Sequence, residues 1–210
     1  MKLFLASTSA ARKAVLKSAG IIPECCAPDC DEPAEVLRAE QSLRRKLTAA
    51  ETVELLARLK AHSVIGQLPD RSGLVLGGDS VFMLDFEVLG KPHTADVALR
   101  RAQQHRGRTG VLYSGHHLLE VKNGEVVQEI SLVDTATVRL AADLTDAELR
   151  AYIATGEPLE LAGGFAIDGL AGAFIDKIEG TPSCVMGLSL PALRQMVNKL
   201  GLNYTELWNA

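Results

Sequence analysis

The stretch Leu74-Val-Leu-Gly-Gly-Asp-Ser-Val-Phe-Met-Leu84, continued by Asp85-Phe-Glu-Val-Leu-Gly-Lys-Pro92, decides how this chain is read. An apolar run climbs to two glycines and one carboxylate, Asp79, and four apolar residues follow. A polar break at Asp85-Phe-Glu separates it from Val88-Leu89-Gly90-Lys91. Two antiparallel strands turning at Asp85 would pair residues whose numbers sum to about 170, and Asp79 and Lys91 do so. Directly opposed side chains share a face about 5 Å apart at Cβ. The hairpin would then join an acid and an amine beside Gly77, Gly78 and Gly90. This is either a salt bridge at a strand end or part of a reactive site. The turn lacks an Asn-Gly signal, so the register is free to slip by one.

The remaining chain bounds the fold. At 210 residues and 47% hydrophobic content it can bury a core as one large domain or two small lobes. A net charge of -4 speaks against a nucleic-acid-binding surface. No apolar run reaches the ~18 residues of a membrane span. Cys25, Cys26, Cys30 and Cys184 lack zinc spacing and read as reduced thiols of a cytosolic protein.

Leu3-Phe-Leu5 reads as a first buried strand, and Ser9 as the cap of a helix over 10–19. Arg12 and Lys13 in its first turn oppose the helix dipole. They are either ordinary surface cations or, with Ser7 and Ser9, half of an anion site. The segment 25–35 reads as an acidic loop, either plain solvated surface or a holder of Mg²⁺. Helices are expected over 37–47, from Thr48 to about His62 with Lys60 at the edge of its apolar face, and from Thr94 to about Arg106. Gln67 to Gly73 reads as a loop. Strands over 112–121 and 126–140 join at Asn123-Gly124, a strong hairpin turn. Adjacent His116 and His117 face opposite sides of a strand, cannot easily share one metal, and read as structural. A capped helix follows at Thr145, then a glycine-rich segment 157–172, a strand near Ile175 and a last helix opened by Pro191. Strands and helices mix without strict alternation, which predicts an α/β or α+β fold with a mixed sheet.

Taken in order, these motifs resemble the Maf family of nucleoside triphosphate pyrophosphatases. The carriers are Leu5-Ala-Ser-Thr-Ser-Ala-Ala-Arg12, Asp31-Glu32, Leu56-Ala-Arg-Leu-Lys60-Ala61, Gly78-Asp79-Ser80 and Gly90-Lys91-Pro92. Later come Glu157-Pro158, Ala162-Gly163, Ile167-x-Gly169 and Gly187-Leu-Ser-Leu190. The resemblance implies a single Maf-like α/β domain over 1–210, a mixed, twisted central sheet flanked by helices, with two lobes around a cleft. It implies hydrolysis of a nucleoside triphosphate between its α and β phosphates, with Mg²⁺ or Mn²⁺. Asp79 would be the general base, with Glu32 and Lys91 as catalytic partners and Glu32 and Asp79 as metal ligands. Ser7, Ser9, Arg12 and Lys60 would hold the substrate. Ala11, Ser80 and Asp168 fall at base-specificity positions and match neither known preference group, so a modified or non-standard base is open. A homodimer is the family-based expectation, and the reduced thiols point to the cytoplasm. A catalytically weak nucleotide-binding regulator of cell division and an unrelated phosphate-ester hydrolase are the alternatives. Gly110 and Leu161 depart from the family's histidine and lysine.

Overall fold

The computed structural model describes residues 1–69 and 71–209; Asp70, in the expected 67–73 loop, lies outside them. In chain order the elements are β1 (Leu3–Ala6), α1 (Ala10–Ser18), β2 (Glu24–Cys26), α2 (Glu32–Leu43), α3 (Ala49–Ser63), β3 (Gly73–Leu84) and β4 (Glu87–Leu89). Then follow α4 (Ala95–His105), β5 (Thr109–Lys122), β6 (Glu125–Leu140), α5 (Asp146–Ala154), β7 (Ile175–Gly180), α6 (Pro182–Val185) and α7 (Leu190–Lys199). The seven strands form one mixed sheet in the order β2-β1-β3-β5-β6-β7, with β4 also on β3. β1 runs parallel to both β2 and β3, while β4 and β7 pair antiparallel with β3 and β6. The mixed α/β class matches the expectation. No helix among the described residues is long and apolar enough to cross a membrane.

Local chemistry sets most boundaries. Ser9, Thr48, Thr94, Thr145 and Ser189 each accept a backbone N–H of the first helical turn. Thr48 with Glu51 and Thr145 with Glu148 complete reciprocal capping boxes. Asn123 and Gly124 both take positive φ, as the two-residue turn between β5 and β6 requires.

The chain divides into two compact units, interleaved in sequence. The first comprises 1–79, 114–134 and 187–210. Its core includes Phe4, Ala6, Ala61, Val64, Val75, Leu119 and Val121. Glycine permits the layers to meet there: a methyl at Gly77 would lie 2.0 Å from the Ala57 carbonyl oxygen, and one at Gly115 2.3 Å from that of Val53. Helix α3 therefore rests directly on the β3 and β5 backbones.

The second unit comprises 80–113 and 135–186. Phe82, Leu84, Leu89, Leu112, Val138, Tyr152 and Phe165 fill its core. The Phe82 ring explains one family departure. A Cβ at Gly110 would fall 2.1 Å from its Cζ, so the ring occupies the room a side chain at 110 would need.

Three sequence expectations need correction. Helix α2 begins at Glu32, not near 37, because Asp31 caps it through the Ala34 N–H at 3.0 Å. Cys25 and Cys26 belong to the short strand β2 rather than a loop. The hairpin register sums to 171, not 170, with Phe82 opposite Leu89 and Leu84 opposite Glu87. Asp85 and Phe86 both adopt positive φ, giving a two-residue turn without glycine. All four cysteines are free.

Candidate functional site

Asp79 follows Gly77 by two residues on β3, so their side-chain directions share a face. That is the face on which α3 lies, and it carries Lys60 to the carboxylate. Lys60 Nζ donates to Asp79 Oδ1 at 2.7 Å and stands 3.1 Å from Glu32 Oε1. The Lys60 and Asp79 side chains keep only 11% and 14% of their exposure, against 40% for Glu32. One largely buried ammonium thus binds two carboxylates. Burial pushes the Asp79 carboxyl above the ordinary carboxylate range. Lys60 and Arg12 pull it back, and Glu32 adds to the rise.

The α1 entry supplies a second cation. The buried Ser7 hydroxyl accepts the Ser9 N–H at 3.1 Å and Arg12 Nη1 at 3.2 Å. Ser9 caps the helix by accepting the Arg12 N–H at 3.4 Å. Arg12 Nε donates to the Gly187 carbonyl at 2.8 Å. Burial lowers the guanidinium pKa, while Asp79 and Glu32 raise it, so its charge is balanced by both carboxylates. Gly78 gives the side chain its room, since a Cβ there would meet Arg12 Nε at 3.2 Å.

Sequence reasoning missed what positions this arginine. His116 is fully buried, with Nδ1 at 3.2 Å from the Leu132 carbonyl and Nε2 accepting the Ser189 N–H at 2.9 Å. The ring is therefore neutral, with its proton on Nδ1. It fixes the segment whose Gly187 carbonyl receives Arg12. A histidine on an apolar strand gave no sign of that partner.

Within the first unit, then, Ser7, Ser9, Arg12, Glu32, Lys60 and Asp79 form one connected polar cluster, with Ala11 beside Arg12 on α1. A groove of about 400 Å³ lined by Glu32, Val36, Leu37 and Leu56 adjoins it. The predicted Asp79–Lys91 pairing does not form. The β3–β4 ladder stops at Phe82–Leu89, short of both residues, and Asp79 pairs with Lys60 instead. Lys91 lies in the second unit and is half exposed, with Nζ 3.3 Å from Glu160 Oε2. His93 shares that carboxylate at 3.2 Å.

Ser80 and exposed Asp168 also belong to the second unit. The turn after Asp168 is tied down by Glu157. Its carboxylate accepts the Leu170 N–H at 3.1 Å and the Tyr152 hydroxyl at 3.0 Å. A Cβ at Gly169 would fall 2.5 Å from Glu157 Oε1, so a side chain there would push that carboxylate aside. The Glu157-Pro158 motif thus anchors the loop that carries Asp168.

Known proteins resemble this chain over nearly its whole length. A "nucleoside triphosphate pyrophosphatase" of Leifsonia xyli is 50% identical over 212 aligned positions, covering 100% of this chain and 97% of that protein. Similarly named proteins of Corynebacterium jeikeium and Cutibacterium acnes are 43% and 45% identical. They are aligned over 99% and 98% of this chain, and over 100% and 93% of their own lengths. The family model described as "Maf-like protein" matches residues 2–200, so this chain belongs to the Maf family.

Proposed function

We propose that this protein hydrolyses a nucleoside triphosphate to the monophosphate and pyrophosphate. The names of its relatives support the activity. The observation that carries the site assignment is the Lys60 ammonium bound between Asp79 and Glu32, with the Arg12 guanidinium balanced against the same carboxylates. Water attacks the α phosphorus while Asp79 takes its proton. The bond from that phosphorus to the oxygen bridging to the β phosphate breaks, and pyrophosphate leaves with the electron pair. A carboxylate whose pKa is raised is a better proton acceptor than an ordinary one. Arg12 and Lys60 neutralise charge that grows on the departing phosphates. Ser7 and Ser9 hold the α1 entry in shape and supply hydroxyls to the same tail.

Asp79 and Glu32 fit a hard divalent cation. Both donors are carboxylate oxygens, and the ion pairs with Lys60 engage only Oδ1 of one and Oε1 of the other. Bound Mg²⁺ or Mn²⁺ would supply charge neutralisation on the phosphate oxygens. For Lys91 the support is the Gly90-Lys91-Pro92 motif alone. For Ala11, Ser80 and Asp168 as selectors of the base it is their motif positions. The 1–210 single domain and a homodimer belong to the same proposal and rest on family resemblance, while cytoplasmic residence rests on reading the four cysteines as reduced thiols.

The test is product analysis over a panel of standard and modified nucleoside triphosphates with Mg²⁺ or Mn²⁺. Pyrophosphate as the product is expected. Orthophosphate instead, or tight binding without turnover across the panel, would overturn the proposal.

A further inference from the structure

The last turn of α3 and the β5–β6 hairpin hold a second set of ligating groups, all within the first unit. His62 Nε2 lies 3.0 Å from Glu129 Oε2, and His117 Nε2 lies 3.6 Å from the same oxygen. The three atoms fall within 4.8 Å of one another. The His117 side chain is only 2% exposed, and its Nε2 is buried without a hydrogen-bond partner. Buried polar atoms are nearly always satisfied, so this nitrogen calls for an explanation. Its other nitrogen, Nδ1, is 2.7 Å from the Ser131 hydroxyl. With the proton on Nδ1 and donated to Ser131, the Nε2 lone pair points at His62 and Glu129.

We propose that His62, His117 and Glu129 bind one zinc-class divalent cation through Nε2, Nε2 and Oε2, with water as the fourth ligand. Two imidazoles and a carboxylate are a zinc donor set, whereas Mg²⁺ takes oxygens. Tetrahedral bonds of about 2.0–2.1 Å place neighbouring donors about 3.3 Å apart. The spacings of 3.0 and 3.6 Å lie either side of that value. Ser131 plays the supporting role that a ligating histidine's other nitrogen requires. Arg58 Nη2 holds Glu129 Oε1 at 2.9 Å and leaves Oε2 for the ion. Its charge opposes a cation and moderates the affinity. His62 and Glu129 are each 36% exposed, so the ion has a path from solvent. On binding, His62 moves its proton from Nε2 to Nδ1, and the ion replaces its hydrogen bond to Glu129. The cation then clamps the C-terminal turn of α3 to the hairpin.

The full-length protein, stripped with chelator and kept in excess Mg²⁺, is titrated with Zn²⁺ by calorimetry and with Co²⁺ by visible absorption. One equivalent should bind, with the absorption of four-coordinate Co²⁺ and a higher melting temperature. His62→Gln and Glu129→Gln, both at partly exposed positions, should each weaken binding at least about tenfold, the lower end of what losing a supporting group costs. Asp79→Asn should leave it intact. Absence of saturable binding would overturn the assignment. So would binding that survives both substitutions, or binding lost in Asp79→Asn but kept in His62→Gln.

Discussion

Lys60 Nζ sits 2.7 Å from Asp79 Oδ1, and this contact opposes the rise that burial imposes on the proposed base. Replacing the carboxylate by an amide keeps the shape and removes the proton acceptor. Asp79→Asn should lower kcat by about 10²–10⁴, the usual worth of a positioned general base. Nucleotide affinity should change only a few fold. Single-turnover kinetics with a binding titration separate the two, and near-normal kcat would remove Asp79 from the chemistry.

Lys60 also tunes when that base is available. Burial raises the Asp79 carboxyl and Lys60 lowers it, so losing the ammonium raises it further. A base works only when deprotonated, so activity is lost as pH falls through its pKa. In Lys60→Met the acid limb of kcat/KM should therefore move to higher pH. An unmoved or lowered limb in the pH–rate profile would contradict this.

Gly77→Ala tests how Lys60 reaches the strand. The new methyl would meet the Ala57 carbonyl oxygen at 2.0 Å, and backbone cannot yield as a side-chain end does. Overpacking of this kind costs about 1–3 kcal/mol. Denaturant melts should show that loss, with kcat falling more than in a surface Gly→Ala control such as Gly66→Ala, where the methyl meets nothing within 4 Å.

His105 predicts an acid-sensitive second unit. Its ring is buried against Phe82 and Phe165, with Nε2 3.0 Å from the Val138 carbonyl. Burial lowers its pKa from the ordinary 6.5. Below that value the unfolded chain binds a proton that the folded one refuses, so stability falls as pH drops from about 6.5 toward the lowered folded value. One such group contributes a slope of about 1.4 kcal/mol per pH unit. His105→Gln can still donate to Val138 and does not titrate. Its stability curve should be flatter than the wild type's over that window and parallel to it above pH 7, as urea melts across pH would reveal.

Much of the fold could be read from short-range chemistry. The caps at Ser9, Thr48, Thr94 and Thr145 and the Asn123-Gly124 turn act within four residues, and the sequence displays them directly. The first-unit cluster was legible as a set of residues, because the family motifs pointed to Arg12, Glu32, Lys60 and Asp79, which the fold brings together. Their pairing was not. Local register favoured Lys91 for Asp79, yet β4 has three residues and its ladder ends before either side chain. The true partner comes from α3, and only packing over Gly77 brings it near. β2 escaped notice because Glu24-Cys25-Cys26 is short and largely exposed. The service of His116 to Arg12 runs through Ser189 and Gly187, more than seventy residues away in sequence; no local pattern encodes it.

The chain passes between the two units at 79/80, 113/114, 134/135 and 186/187. No single cut can release either as an intact fragment. A gene product truncated before β6 would leave both units without a central strand, and splitting the protein into two expressible pieces would have to sever β3, β5 or β6 or strand the C-terminal helix. Segments distant along the chain must find each other before either core closes, which favours slow folding over independent, modular assembly.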